Sequence, residues 1–572
     1  MRAENNRIRQ SQLVSTFGIG GILPAGDQSY LVCGLDDWDE RWCAAIEEPR
    51  LAKSLGVHLF RAPSTGQKRG DVPVIRFPAY QYCPNCRRLD TYWRFDSRKM
   101  QCPDCVRDLA PSRFVACCEN GHLEDFPYFQ WVHPVKDESL RAEPSVEHRM
   151  SLVTRGMSSS LADIVVTCSC GVRPRDLAGA FEKHAVALVR SCGGLRPWLP
   201  GAEPEVCDKN LRTLQRGSPN VWFSAVRSSI SIPPWSSPNA RYVTRFWEVF
   251  RDQDEDQIRT AADGAAARNP GIDTEGVLEV VAQRRGVEKG KIPTESDLRQ
   301  EEYLALRDGN DTGANDAFQC IEVNVSSEIS HFAAQVSKVS RLREVRALHG
   351  FSRVTPQTNS DSSQKLAQLS IVPQHWLPAV EVYGEGVFVR IDEPWLAKWE
   401  SGVLAKQRVG MLADAIALRD HESGAPTAEV PTVRFIAIHT LAHAVLKELS
   451  LDAGYPAGAL RERIYAEADQ AGFLIYTASS DAAGSLGGLA ALAEEERFAA
   501  VLKSAAARTV WCSNDPVCTE SGPSGSDGLN LAACHACLLL PETSCEHRNI
   551  YLDRASLTGG IADSDSGLLS EL

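Results

Sequence analysis

At 572 residues the chain is longer than one hydrophobic core usually supports, so we expect several domains. Apolar residues make up 43% and charged residues 24%, as in an ordinary globular protein, and no run of about 18 apolar residues predicts a membrane span. The formal net charge of −13 excludes a uniformly basic surface, so contact with DNA must come from local patches or from a partner.

The cysteine content is the most informative feature of the composition. The first residues have no apolar stretch of the kind found in secretory signals, so we expect the chain in the cytoplasm. In that compartment 18 cysteines indicate metal ligands rather than disulfides. Many fall into C-x2-C or C-x-C pairs, which favour zinc, with iron–sulfur as the alternative.

These patterns predict an α+β multidomain protein in which zinc-ribbon modules are inserted among mixed α/β lobes. The expected segments are an N-terminal α/β segment over 1–75, a zinc ribbon over 76–135, a second cysteine-rich module over 136–250, a mainly helical connecting region over 251–350, and a C-terminal domain with a third cysteine cluster over 351–572.

Local periodicity predicts individual elements along these segments. A strand is expected around residues 30–33, and residues 379–390 alternate in the manner of a strand. The apolar spacing over 434–449 predicts an amphipathic helix, and a second helix is expected over 489–507.

The first cysteine cluster is Cys83-Pro-Asn-Cys86, followed after fifteen residues by Cys102-Pro-Asp-Cys105. Each tight turn directs two thiolates toward one tetrahedral centre, which predicts a zinc ribbon. Four protein ligands leave no open position for water, so we expect this site to be structural.

Two further clusters follow. We expect a second structural site from Cys168, Cys170, Cys192 and Cys207. The stretch Cys117-Cys118-Glu-Asn-Gly-His122 offers an extra thiol and an imidazole that could complete either the first or the second site, or could be a buried thiol and a hydrogen-bonded histidine. The third cluster is expected to use Cys518, Cys534, Cys537 and Cys545, with Cys512 in reserve. Together the clusters predict two to three zinc ions per chain.

The sequence contains no recognised catalytic or cofactor-binding motif. His439 and His443 are one helical turn apart, as in metalloproteases, but Thr440 stands where the general base Glu would follow. A core or interface role is favoured for this pair, and a metal-dependent hydrolase centred on it is the alternative. No phosphate-binding loop of the Walker A type is present, so we expect no ATP hydrolysis by the chain alone.

Two basic stretches stand out from the acidic whole. Arg87, Arg88 and Arg94 accompany Tyr92 and Trp93 in the first ribbon. The second stretch carries Arg341, Arg343 and Arg346. Guanidinium and aromatic groups together suit a single-stranded backbone with stacked bases, so both stretches are candidate DNA contacts. A solvated charged face is the alternative.

The chain resembles the DrmB family over nearly its whole length. The resemblance includes both C-P-x-C turns, the pair His439 and His443, and the stretches RQSQLVSTFG (9–18), NGHLEDFP (120–127), LQRGSPNVW (214–222) and CEHRNIYLDR (545–554). It implies that residues 351–572 form a helicase-associated domain. It also implies a subunit of the anti-phage DISARM system that joins a DrmA-type helicase, the motor subunit, in a hetero-oligomer on DNA.

The resemblance favours a non-enzymatic helicase partner that helps to bind or position DNA, with single-stranded DNA or an overhang as the expected form. Two other hypotheses stay open at this point. One is the hydrolase centred on His439 and His443, and the other is a scaffold that contacts only protein. No membrane association is expected.

Overall fold

The structure is a computed structural model of the chain. It describes residues 8–64, 70–95, 100–134, 148–155, 160–311, 316–356, 365–423, 429–477, 488–520, 522–525, 528–560 and 564–572. The chain forms two compact units. The first unit comprises residues 1–47, 55–228 and 346–380, and the second comprises residues 48–54, 229–345 and 381–572.

The strands are β1 (Ile22–Ala25), β2 (Gln28–Val32), β3 (Ala45–Ile46), β4 (Leu59–Arg61), β5 (Val74–Arg76), β6 (Tyr80–Tyr82), β7 (Arg88–Thr91), β8 (Ala110–Pro111), β9 (Phe114–Cys117), β10 (Leu123–Asp125), β11 (Met150–Thr154), β12 (Ile164–Cys168), β13 (Arg175–Asp176), β14 (Arg212–Gln215), β15 (Phe223–Ile230), β16 (Gln319–Val323), β17 (Ala333–Ser352), β18 (Trp376–Ile391), β19 (Leu460–Tyr465) and β20 (Gly472–Thr477).

The helices are α1 (Gln12–Ser15), α2 (Pro49–Ser54), α3 (Tyr128–Val132), α4 (Pro238–Arg245), α5 (Trp247–Phe250), α6 (Glu255–Ala266), α7 (Thr274–Lys289), α8 (Glu295–Asp308), α9 (Glu393–Glu400), α10 (Val403–Ser423), α11 (Val433–Ala453), α12 (Glu495–Thr509), α13 (Val517–Glu520) and α14 (Arg554–Thr558). Among the described helices, none combines the length and the apolar character needed to cross a lipid bilayer.

Two antiparallel sheets of the first unit position its cysteines. One sheet has the order β13-β12-β11-β7-β6-β8, with Tyr82 opposite Leu89 on either side of the first C-P-x-C turn. Another has the order β10-β9-β14, with Cys117 opposite Leu123. Gly121 takes a φ of 85° in the connection between β9 and β10, a conformation that favours glycine.

The second unit is centred on α11. Thr432 caps its N-terminus by accepting a hydrogen bond from the N–H of Phe435 at 3.1 Å, and Gly454 ends it in the left-handed conformation. The predicted helix over 434–449 is therefore present and somewhat longer. It is buried around most of its circumference rather than on one face, because β19, β20, α12 and α14 all pack against it.

The predicted α+β multidomain fold with cysteine-rich modules is confirmed. The sequence predicts five consecutive segments, whereas the structure has two units, each assembled from segments that are distant in sequence and joined by hydrogen bonds. The buried Arg353, for example, donates to the carbonyl oxygens of Gly20, Gly121 and Val221 within the first unit. In the region 251–350, the helices α6, α7 and α8 are followed by the strands β16 and β17.

Candidate functional site

The first cysteine group brings Cys83, Cys86, Cys102 and Cys105 together, with all four sulfurs within 4.8 Å of one another. The sulfur of Cys83 is 3.2 Å from that of Cys105, and the sulfur of Cys86 is 3.5 Å from that of Cys102. Two thiolates on one tetrahedral zinc lie roughly 3.8 Å apart, given Zn–S bonds of about 2.3 Å. These four free thiols therefore fit one zinc ion.

The two turns of this ribbon share one backbone pattern. The N–H of Arg87 donates to the carbonyl of Cys83 at 2.9 Å, and the N–H of Val106 donates to the carbonyl of Cys102 at 2.8 Å. Arg87 and Val106 both have positive φ, at 65° and 53°. A hydrogen bond with Cys83 lowers the pKa of Cys105 to about 7, which favours the thiolate that binds metal.

A second group consists of Cys118, His122, Cys192 and Cys207. The Nδ1 atom of His122 is 3.3 Å from the Cys118 sulfur and 3.5 Å from the Cys192 sulfur. The Nε2 atom of His122 lies 3.3 Å from Oε2 of Glu205, a contact that orients Nδ1 toward the sulfurs. A hydrogen bond with Cys192 lowers the pKa of Cys118 to about 4 despite its burial, and His122 contributes to this shift.

A third group consists of His133, His148, Cys168 and Cys170. The Nε2 atom of His133 is 3.2 Å from the Cys170 sulfur, and Nδ1 of His148 is 3.4 Å from the Cys168 sulfur. The Nδ1 atom of His133 lies 2.9 Å from the carbonyl of Phe129, which leaves Nε2 free to bind metal. Two thiols and two imidazoles are a donor set typical of zinc.

The expectation that Cys168, Cys170, Cys192 and Cys207 form one site therefore differs from the structure. Cys168 ends β12, and the pairing of β12 with β11 brings it beside the residues that precede β11, including His148. Cys192 and Cys207 instead face the connection between β9 and β10. Each pair of cysteines is completed by side chains from a different part of the first unit.

The group in the second unit consists of Cys512, Cys518, Cys534 and Cys537. Its sulfur–sulfur distances are 3.5 Å for Cys512 to Cys534 and 3.8 Å for Cys518 to Cys537. Burial raises the pKa of Cys534, but hydrogen bonds from the backbone of Cys537 and the side chain of Asn514 lower it to about 6. Four thiols at these distances fit one zinc ion.

Cys545 does not belong to this four-thiol group, contrary to the expected ligand set, and Cys512 takes the fourth place. The reason is that Cys545 lies in the core beside α11, with its sulfur 3.2 Å from Nε2 of His439. His443 and Glu462 complete that separate group. Burial alone would raise the pKa of Glu462, but His443 and His439 lower it below its ordinary value.

The basic stretches differ in exposure. Arg87 is exposed, Arg88 and Arg94 are half-buried near Asp90, and Trp93 is 58% exposed. In the second stretch, Arg346 is buried and Arg343 forms ion pairs with Glu48 and Glu381. Arg341 donates to Gln319 at 3.1 Å.

This second stretch is therefore not an exposed basic face. Because β17 is a long and largely buried strand, its arginines serve the interior or the pairing with β16. On the ribbon, Arg107 is a further exposed cation that the sequence interpretation did not include.

Sequence reasoning missed some of the side chains that complete these groups. His133 and His148 are remote in sequence from the cysteines they join, and Glu462 has no motif around it. The stretch from Cys117 to His122 does carry a signal, since it offers a thiol and an imidazole, but its spacing does not show which cysteine binds or which site it completes. Pairing of distant strands, which spacing alone does not predict, decides these ligand sets.

Comparisons with known proteins agree with this geometry. Residues 9–223 match a domain of unknown function (DUF8724), and residues 441–538 match the MrfA Zn-binding domain. That second range contains all four thiols of the group in the second unit. Zinc is therefore the metal of this chain, and the cysteine and histidine groups of the first unit fit the same ion.

The chain also resembles a curated protein over almost its whole length. It is 31% identical over 557 residues to the DISARM protein DrmB of Bacillus paralicheniformis, covering 94% of this chain and 97% of the relative. The zinc-binding domain and the extent of this similarity identify the chain as a subunit of a DISARM defence system. The chain belongs to the DrmB family.

Proposed function

We propose that this chain is the non-motor partner of a DrmA-type helicase and that it helps the helicase to bind and position DNA. Membership of the DrmB family supports an assembly with other DISARM subunits. The sequence has no phosphate-binding lysine loop of its own, so in this proposal the motor is a separate subunit. Residues 351–572 are the proposed helicase-associated region.

The observation that carries the DNA-binding part is the exposed surface of the first zinc ribbon. Trp93 is 58% exposed, although a tryptophan side chain that has only a packing role is usually mostly buried. Arg87 and Arg107 are exposed, and among the described residues no carboxylate is paired with either side chain. An exposed indole and unpaired guanidinium groups can stack on a base and contact phosphates.

The rest of the ribbon supplies less charge than its arginine count indicates. Arg88 is near Asp90 and Asp104, at 3.4 Å and 3.8 Å, and Arg94 is 3.9 Å from Asp90. Paired charges contribute little to attraction of a polyanion. We therefore expect weak, salt-sensitive binding by the chain alone and tighter binding by the complex, in which the helicase also holds the strand.

Co-purification with a DrmA-type helicase of the same system tests the proposal. A tag on the helicase should retain this chain through a salt wash, and the complex should bind a fluorescent single-stranded oligonucleotide at least tenfold more tightly than this chain alone. Elution of the chain without the helicase would contradict the partnership. Equal DNA affinity for the helicase with and without this chain would contradict the role in DNA binding.

A further inference from the structure

We propose that His439, His443, Glu462 and Cys545 form an additional zinc site in the core of the second unit, closed by four protein ligands and structural in role. The inference is independent of the proposed helicase partnership. The candidate ligand atoms of these side chains lie within 4.8 Å of one another, and all four residues are buried. The site is distinct from the four-thiol group formed by Cys512, Cys518, Cys534 and Cys537.

Three separate parts of the chain supply the ligands. His439 and His443 lie one turn apart on α11, so their rings project from the same side of the helix. Glu462 lies on β19, which packs against α11, and Cys545 lies in the segment that follows the four-thiol group. The Oε1 atom of Glu462 is 3.0 Å from Nε2 of His439 and 3.2 Å from Nε2 of His443.

The backbone contact of His443 directs one of its ring nitrogens at the site. Its Nδ1 atom is 2.9 Å from the carbonyl oxygen of Leu538, which can only accept a hydrogen bond, so Nδ1 serves as the donor. Nε2 is the ring atom that faces Oε1 of Glu462, and a histidine whose Nδ1 is held by a backbone carbonyl is oriented to bind metal through Nε2.

The remaining atoms converge in the same manner. The sulfur of Cys545 is 3.2 Å from Nε2 of His439. It also accepts hydrogen bonds from the backbone N–H groups of His547 at 3.3 Å and Asn549 at 3.2 Å. These donors stabilise a thiolate. The second carboxylate oxygen of Glu462 is buried without a hydrogen-bond partner among the described residues, a costly position for a carboxylate whose charge is not balanced nearby.

The charge of the ligand set suits its surroundings. A zinc ion with one carboxylate, one thiolate and two neutral imidazoles is electrically neutral. The site borders an apolar core that includes Ile438, Leu441 and Ala442, where a net charge would be expensive. The four-thiol groups, which with zinc carry a net charge of about −2, instead include exposed or half-buried cysteines, such as Cys86 and Cys534.

The inferred role is to fasten the last part of the chain to the core. Four protein ligands leave no position for a water molecule, so the site lacks the open coordination that a hydrolase requires. Two contacts attach the segment after residue 545 to α11. One is made by Cys545 at the proposed site, and in the other the N–H of Asp553 donates to Oγ1 of Thr440 at 3.1 Å. Without the metal, α14 and the residues after it should separate from α11 more readily.

Zinc content of the full chain tests this inference. Native mass spectrometry of the wild-type protein, purified from zinc-supplemented medium, should give five zinc ions per chain, one for each group. Cys545→Ser and His443→Ala should each lower the count by one. Cys320→Ser is the matched control, because Cys320 is also a buried thiol but belongs to none of these groups, and it should leave the count unchanged.

A second readout reports the fastening role. Cleavage within the last 30 or so residues under limited proteolysis should increase at least tenfold in Cys545→Ser relative to Cys320→Ser. A wild-type count of zinc in Cys545→Ser and in His443→Ala would overturn the inference. If both variants fail to fold, zinc-edge anomalous scattering from crystals of the wild-type protein decides: a peak between His439, Glu462 and Cys545 supports the site, and the absence of a peak there contradicts it.

Discussion

Arg343 is bonded to Glu381 within the second unit, with its Nε donating to Oε1 of that glutamate at 2.8 Å. The Nη1 atom of the same guanidinium is 3.6 Å from Oε2 of Glu48, which is fully buried. This arginine therefore pairs with one half-exposed and one buried carboxylate of its own unit instead of facing a nucleic acid. A basic stretch in the sequence and a basic surface in the fold are different things, and the two arginine-rich stretches of this chain show the difference.

Replacement of Arg343 tests this assignment. Arg343→Ala leaves Glu381 without its arginine and leaves Arg50 as the remaining cation beside the buried Glu48, so we expect a loss of about 2 kcal/mol in the free energy of unfolding. DNA affinity of the helicase complex should not change. Chemical denaturation and oligonucleotide titration measure the two quantities, with Arg341→Ala, which removes a half-buried hydrogen bond, as the milder comparison. Reduced DNA affinity at unchanged stability would contradict the interior role.

The division of the second cysteine cluster can be tested by counting metal. Cys168→Ser with Cys170→Ser should remove one zinc ion, and Cys192→Ser with Cys207→Ser should remove another. Because the structure places the two pairs in different groups, the quadruple variant should lack two ions. A loss of the same single ion in all three variants would mean that the four cysteines share one site after all.

The first ribbon should depend on zinc for its folding. Cys83→Ser removes one of four ligands from a module with a small core, and structural zinc supplies on the order of 10–16 kcal/mol of apparent binding energy in small zinc domains. We expect lower solubility and loss of one zinc ion before any effect on defence activity. A variant that melts normally, keeps its zinc and yet loses function would indicate a direct role for the thiol.

The isolated chain should hydrolyse no ATP, with or without DNA, because its sequence lacks a phosphate-binding lysine loop. The measurement is phosphate release by protein freed of helicase through a second affinity step. The assembled complex serves as the positive control, and turnover that persists at constant specific activity through that step would contradict the expectation.

Sequence alone predicted the parts of this protein that depend on local spacing. The two C-P-x-C turns bring their cysteines together as expected, and α11 and β18 lie where periodicity placed them. Ligand sets that depend on strand pairing were predicted incompletely. His148 lies beside Cys168 because β11 pairs with β12, and the spacing of residues in the sequence does not predict that pairing.

The position of Cys545 has the same explanation. By spacing, it is a natural fourth member after Cys534 and Cys537, and Cys512 is farther away along the chain. In the fold, the segment that carries Cys545 lies against α11, so its sulfur faces His439. The division into two units could not be predicted either, because residues 346–380 belong to the first unit although the residues before and after them belong to the second.

The salt dependence of single-stranded DNA binding by the helicase complex shows most directly whether the exposed surface of the first ribbon contacts DNA. Arg87→Ala with Arg107→Ala should lower the salt slope by up to about 1.4, at roughly 0.7 for each lost phosphate contact, and Trp93→Ala should weaken binding about tenfold through lost stacking. Arg497→Ala, which removes an exposed arginine from α12 in the second unit, is the control and should change neither quantity. Ribbon variants with wild-type affinity and slope would contradict a role for this surface in DNA binding.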